Sequence, residues 1–401
     1  LALGVDTDDV SSEFDPRSDG SSLIEDNIAP PSLQSLAVIQ LAPLSHVQER
    51  MWLAHWYSDD PSAYNVAFAW KLQGHSDCDR FEAAIQVVIQ QHEALHTAFR
   101  VNVTTGEPEQ FTFCREEFVL ERKTITNKNN IHAEFLDFRN HVFDHDNGKT
   151  LKASVLQLSR DTHVFMLCYH HIVMDGISLR TFLGDLTQGY VSPGVSQPAS
   201  QYLDYAITER EQLKGQAIMK DIEYWKQQFK TLVDCLHLLP FSRVQSRPRL
   251  SISENFTAHT FIKKETVARV KECNQQSRSI FFHFYAAALL VLLFQLLDDL
   301  VDDLCIRIAD ASRHNGRYFD TVGFCLNLLL VRLRVCGQDT IAQLLKKTRT
   351  SIYRALAHFK IPFDDFLEEL KVPRSSISSP LFQVLLNYTL GICGMSIFAP
   401  Y

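Results

Sequence analysis

The run His170-His171-Ile172-Val173-Met174-Asp175-Gly176 is the segment of this chain best suited to carry chemistry. Histidine is the side chain whose ordinary pKa, about 6.5, lies closest to working pH, so a fixed imidazole serves as a general base, a role worth roughly 10² to 10⁴ in rate. Asp175, four residues on across a tight turn, is poorly placed to neighbour a nucleophile and is expected to hold the loop through an ion pair or hydrogen bonds. Gly176 permits close backbone approach to a substrate. Adjacent residues at a strand end face opposite ways, so His170 and His171 are not expected to ligate one metal together, and no cluster of further ligands lies nearby in the sequence. No residue is therefore assigned as a metal ligand. Neither a GxSxG turn for a serine nucleophile nor a GxxxxGK phosphate loop occurs. On spacing alone, an ordinary polar loop and a metal site stay open as rivals to catalysis.

Stepping outward, the loop falls where an apolar strand at residues 163–171 ends and a helix begins just past Asp175, a position where rigid scaffolds carry reactive groups. That strand pairs with residues 151–158 as a hairpin. Ser45 followed by Gln48 is a capping box opening a helix that carries Met51, Trp52, His55 and Trp56. A strand is expected at residues 64–72, and a helix whose face is Phe81, Ile85, Val88 and Ile89 ends near His92. The second half predicts helices at 207–229, 265–276, 280–297, 340–358 and 364–371, with strands at 304–309, 322–335 and 382–388. Two comparable α/β lobes are the simplest architecture, residues 39–206 and 207–401, behind a flexible acidic linker over residues 1–38 that is rich in Ser, Asp, Gly and Pro. Folded structure is expected to start near Leu41. Trp52, Trp56 and Trp70 read as core anchors, and His92, His96 and His358 as surface or capping residues. Asn327, inside an apolar strand, either faces a cavity or finds a partner in the core.

The chain has 401 residues, 39 Lys and Arg against 47 Asp and Glu, and a net charge of −8. That balance gives no basic stripe for tracking phosphates, so no nucleic-acid partner is expected. Hydrophobic residues make up 46% and charged residues 21%, ordinary globular composition. Nine cysteines stand singly, with no CxxC, and read as reduced thiols of a cytoplasmic protein. The acidic amino terminus does not resemble a signal peptide, so the sequons at Asn102, Asn255 and Asn387 read as chance. The apolar run at 280–297 contains His283 and Gln295 and is followed by Asp298 and Asp299, so it is expected to be a core helix, with no membrane partner.

HHIVMDG at 170–176 resembles the HHxxxDG signature of the condensation domains of nonribosomal peptide synthetases, relatives of chloramphenicol acetyltransferase. Six further segments resemble that family's motifs in order: SHVQERMWL at 45–53, QHEALHTAF at 91–99, YLDYA at 202–206, VGFCLNLLLVR at 322–332, IPFDDF at 361–366, and residues 374–381. The acidic linker and the end soon after the last motif are similar to the carboxy-terminal condensation-like domain of fungal highly reducing polyketide synthases of the lovastatin nonaketide type.

The resemblance implies a V-shaped pair of acetyltransferase-like lobes around a tunnel, acting as an acyltransferase on an acyl or polyketide chain held as a carrier-protein thioester. His171 would deprotonate or orient the nucleophile, the Gly176 N–H would hold the oxyanion, and His170 and Asp175 would support the loop. Asn327 and His96 would face substrate. No cofactor of its own is implied, because phosphopantetheine arrives on the acyl carrier protein. The alternative is a catalytically silent domain that holds the chain or docks partners. One departure stands out: where the family's second motif carries two arginines, this chain has Gln91 and His96. The second arginine is expected to pair with the motif aspartate, so His96 is expected to hold Asp175 in its place.

Overall fold

The computed structural model describes residues 38–388, apart from 75, 115–116, 128–129, 193–199, 216, 235, 237, 240, 243–257, 259, 298–302, 314–315 and 374–380. The linker thus lies outside the described residues except for Val38, as does nearly all of the last motif. Val38 already belongs to a strand, β1 (Val38–Pro43), so folded structure begins about three residues earlier than Leu41.

The first lobe is built around a four-stranded sheet in the order β2 (Asn65–Gln73), β7 (Thr162–His170), β6 (Leu151–Ser159), β5 (Glu121–Thr124). β6 and β7 form the expected antiparallel hairpin. Along β7 the side chains alternate with the strand period. Phe165, Leu167 and Tyr169 join a core with Ile85, Val88 and Ile89 of α2 (Cys78–Gln91) and Leu179, Phe182 and Leu186 of α4 (Gly176–Val191). Val164, Met166 and Cys168 point to the other face, against Phe138 of α3 (Ile131–Arg139) and against Phe143. With both faces covered, β7 is a rigid central strand, and its last residue, His170, follows the Val164 side. A second sheet, β1-β4-β3, pairs β4 (Pro108–Phe113) with β1 and with β3 (Thr97–Val101).

The second lobe carries the sheet β10-β8-β9, in which β8 (Asp303–Asp310) pairs antiparallel with β9 (Asn327–Arg334) and parallel with the two-residue β10 (Leu385–Leu386). Its own core joins Leu304, Ile306 and Ile308 to Ala286 and Leu290 of α8 (Phe281–Leu296), Leu345 and Ile352 of α9 (Ile341–Ala357), and Phe363 and Phe366 of α10 (Phe363–Glu369). α7 (Lys264–Ser277) precedes α8, and no single helix among the described residues is long and apolar enough to cross a membrane.

Several expectations change. The helix at 207–229 is two, α5 (Tyr202–Leu213) and α6 (Ala217–Gln228), so the boundary between residues 206 and 207 falls inside a helix. α5 lies at the junction of the lobes, its Tyr202, Tyr205 and Ala206 packed with Ala94, Tyr318 and Cys325. The strand at 322–335 begins only at Asn327, because residues 321–325 spend their polar groups on the first lobe. Trp52 and Trp70 are core residues, whereas Trp56 is 63% exposed at the end of α1 (His46–Trp56). The Ser45 and Gln48 capping box that opens α1 is present as read. β5 went unread because Glu-Arg-Lys-Thr shows no apolar alternation.

Candidate active site at the junction of the lobes

β7 delivers His170, and the chain then turns through His171–Asp175 into α4. The turn is pinned from both sides: His170 N–H donates to the Thr150 carbonyl and His171 N–H to the Tyr64 carbonyl, each at 2.9 Å. Ile172, Val173 and Met174 are fully buried in the first core, so the three residues between the histidines and the aspartate act as an apolar plug beneath the loop. Asp175 caps α4, accepting from Ser178 N–H at 2.9 Å.

His171 donates from Nδ1 to the Met174 carbonyl at 2.9 Å. This bond fixes the neutral tautomer in which Nε2 keeps its lone pair, the form a general base requires. Burial lowers the His171 pKa from its ordinary value, while the Met174 bond and Asp175 act to raise it. Its ring lies 4.9 Å from that of Phe324, which comes from the second lobe's segment leading into β9. Gly176, the first residue of α4, is exposed with open space around its Cα, so its backbone N–H stands at the positive end of a sixteen-residue helix.

Asp175 is not held by His96. Its cation is Arg313 of the second lobe: Nη1 donates to Asp175 Oδ2 at 2.6 Å, with both side chains almost fully buried. Cys325 N–H donates to the same oxygen at 3.1 Å. Arg313 Nη2 donates to Ser178 Oγ at 2.9 Å and to the Thr321 carbonyl at 3.0 Å. Ser178 Oγ also accepts from Gly323 N–H at 3.0 Å, and its single proton serves either Asp175 Oδ1 or the Gly323 carbonyl. The network closes through Tyr202, whose hydroxyl donates to the Phe324 carbonyl at 2.5 Å and lies 2.8 Å from Ser45 Oγ. A Cβ on Gly323 would sit 1.8 Å from the Tyr202 ring, so only glycine allows this approach.

His96 lies in a 3-10 turn at Glu93–His96 with Nδ1 against the Ile89 carbonyl at 3.1 Å. An imidazole cannot reach where the guanidinium of Arg313 already fills the carboxylate's open side. The sequence expectation placed the partner of Asp175 in the same lobe and so missed Arg313; the usable signal is that a buried carboxylate demands a cation, and Arg313 stands three residues past the end of β8. Asn327 finds a partner, its Nδ2 donating to the Phe359 carbonyl at 2.8 Å, and it also lines a cavity of about 70 Å³ with Tyr205, Glu209, Arg313 and Lys360. His171 does not line that cavity. His92 and His358 are helix C-caps, bound to Asp185 and Asp221 respectively. His170, fully buried, accepts from Ile172 N–H at 3.3 Å.

Two mixed α/β lobes, with an imidazole of fixed tautomer where they meet, define a chloramphenicol acetyltransferase-like fold. The family model for the condensation domain matches residues 38–391, and the chain belongs to that transferase-type family. It is 34% identical over 358 residues to the hybrid PKS-NRPS synthetase LUC5 of a Fusarium species, covering 89% of this chain, and 33% identical over 349 residues to the hybrid synthetase lepA of Aspergillus flavus, covering 87%. The chain spans 9% of the length of each of these curated relatives. Among solved structures it is similar to the condensation domain of the monacolin K polyketide synthase MokA, with TM-score 0.74, 23% identity, and coverage of 87% of this chain and 81% of that one. It is also similar to the X-domain from teicoplanin biosynthesis, with TM-score 0.75, 24% identity, and coverage of 88% and 79%.

Proposed function

We propose that the domain transfers an acyl or polyketide chain from the phosphopantetheine thioester of an acyl carrier protein to a nucleophile, with His171 as the catalytic base. The nucleophile's proton passes to Nε2 as its bond to the thioester carbonyl carbon forms. The tetrahedral oxyanion is held by the Gly176 N–H, and when the C–S bond breaks the proton passes from Nε2 to the departing pantetheine thiolate. Asp175 and His170 are positioning residues. The observation that carries this reading is the bond from His171 Nδ1 to the Met174 carbonyl, which reserves Nε2 for proton transfer. The anchoring of Asp175 by Arg313 supports it over a silent holding domain, since the loop is fastened across the lobes. The domain needs no cofactor of its own for this chemistry, because pantetheine belongs to the carrier. The hybrid synthetases among its relatives favour a megasynthase setting and a carrier partner.

The test is intact-protein mass spectrometry of the domain mixed with acyl-loaded carrier protein and a panel of amines, alcohols and water. Loss of the acyl mass from the carrier together with the matching product is expected. Retention of the chain with every nucleophile would overturn the reading and favour a domain that holds the chain.

A further inference from the structure

At the end of β7, three imidazoles meet. His170 comes from the end of β7, His55 from α1, and His145 from the turn between α3 and β6. Their ring centroids are 4.3 Å apart for His145 and His170, 4.4 Å for His55 and His145, and 5.1 Å for His55 and His170. One ring nitrogen from each lies within 4.8 Å of those of the other two. Each ring also has a buried nitrogen without a hydrogen-bond partner: Nδ1 of His55, Nε2 of His145 and Nε2 of His170. Orphaned buried polar atoms are rare because each keeps its desolvation cost unrepaid, and three in one cluster call for a common partner.

We propose that His55, His145 and His170 form a binding site for one divalent transition cation, with zinc the first candidate. Neutral imidazole donors select zinc, copper or nickel over magnesium and calcium, which take oxygen ligands. Three histidines leave the fourth tetrahedral position to water, and the half-buried His55 gives ion and water a way in. Burial lowers the pKa of all three, His145 to about 4, so at neutral pH each ring keeps a lone pair. His145 also donates to the Phe143 carbonyl, the kind of second bond that orients metal-ligating imidazoles. His170 has one rearrangement to make. Its Nδ1 accepts from Ile172 N–H at 3.3 Å, which leaves the ring proton on Nε2; an ion binding at Nε2 drives that proton to Nδ1 and gives up this one long bond. Coordination by three nitrogens outweighs it.

His171 is not among the three ligands, so the ion would not take part in the transfer chemistry proposed above. It would tie α1, the turn holding His145, and the end of β7 together beneath the catalytic loop.

The experiment is calorimetric titration of the chelator-treated domain with zinc chloride, with its exposed thiols at Cys114 and Cys336 alkylated. Metal content is measured by atomic emission, and melting is followed with and without zinc. One zinc per chain and a rise in melting temperature are expected. His145→Asn and His55→Asn should each weaken binding at least tenfold, with unchanged circular dichroism. If His145→Asn fails to fold, the half-exposed position 55 decides the question. No saturable one-site binding in the wild type, or wild-type affinity in His55→Asn, overturns the proposal.

Discussion

Replacing Arg313 with methionine removes the cation of a buried pair while keeping most of the side chain's volume. Both partners of that pair are only 2–3% exposed. After the substitution the Asp175 carboxylate keeps Ser178 N–H, Cys325 N–H and a share of the Ser178 hydroxyl, but no positive charge. Breaking a buried ion pair from one side costs about 3–5 kcal/mol, most of it the penalty of the charge left behind. The carbonyls of Thr321 and Gly323 lose their guanidinium donor as well. Asp175→Asn in the same background removes the stranded charge while an amide oxygen still caps α4, so it should recover about 1–3 kcal/mol. Urea unfolding followed by fluorescence reports on both lobes, through Trp52 and Trp70 in the first and Trp225 in the second. A loss below about 1 kcal/mol for Arg313→Met, or a further loss when Asp175→Asn is added, would refute the claim that this pair fastens the loop.

Gly323→Ala drives a methyl into the fully buried Tyr202 ring and should cost about 1–3 kcal/mol, read as a lower urea midpoint; an unchanged midpoint would contradict the close approach. Glu209, which accepts from His46 N–H at 2.8 Å, has its pKa pushed up from 4.5 to about 7 by burial. Its protonated form is the one the fold favours, so this stability is fully present below pH 4.5 and is lost as pH rises through 7. Glu209→Gln should therefore match the wild type near pH 4.5 and exceed it by about 1–3 kcal/mol at pH 8, and equal pH dependence of the two proteins would contradict the shift.

The parts legible in the sequence were those set by local rules. The capping box at Ser45, the hairpin of β6 and β7, and the strand-to-helix turn at Asp175 each depend on residues a few positions apart. The site's supports depend instead on contacts across long stretches of chain. Arg313 lies 138 residues from Asp175, and Tyr202 lies 157 residues from Ser45. No periodicity couples such positions; only the need of a buried carboxylate for a cation, and of Gly323 for a ring to pack against, points to them. His96 drew the wrong assignment because the partner of Asp175 was expected at the aligned position of a motif arginine, whereas Arg313 comes from the other lobe. The apolar run 322–335 read as one strand, but polar backbone groups in its first residues are claimed by Tyr202, Ser178 and Asp175.

The most direct test of the account is the single-turnover rate of acyl transfer from loaded carrier protein by His171→Ala, measured beside the wild type in one mass-spectrometric assay. His171 contributes one ring to the junction, so the variant should keep the wild-type circular dichroism and bind loaded carrier as before. Its transfer rate should fall by roughly 10²–10⁴. A folded variant that transfers the chain at the wild-type rate would contradict the assignment of His171 as the base.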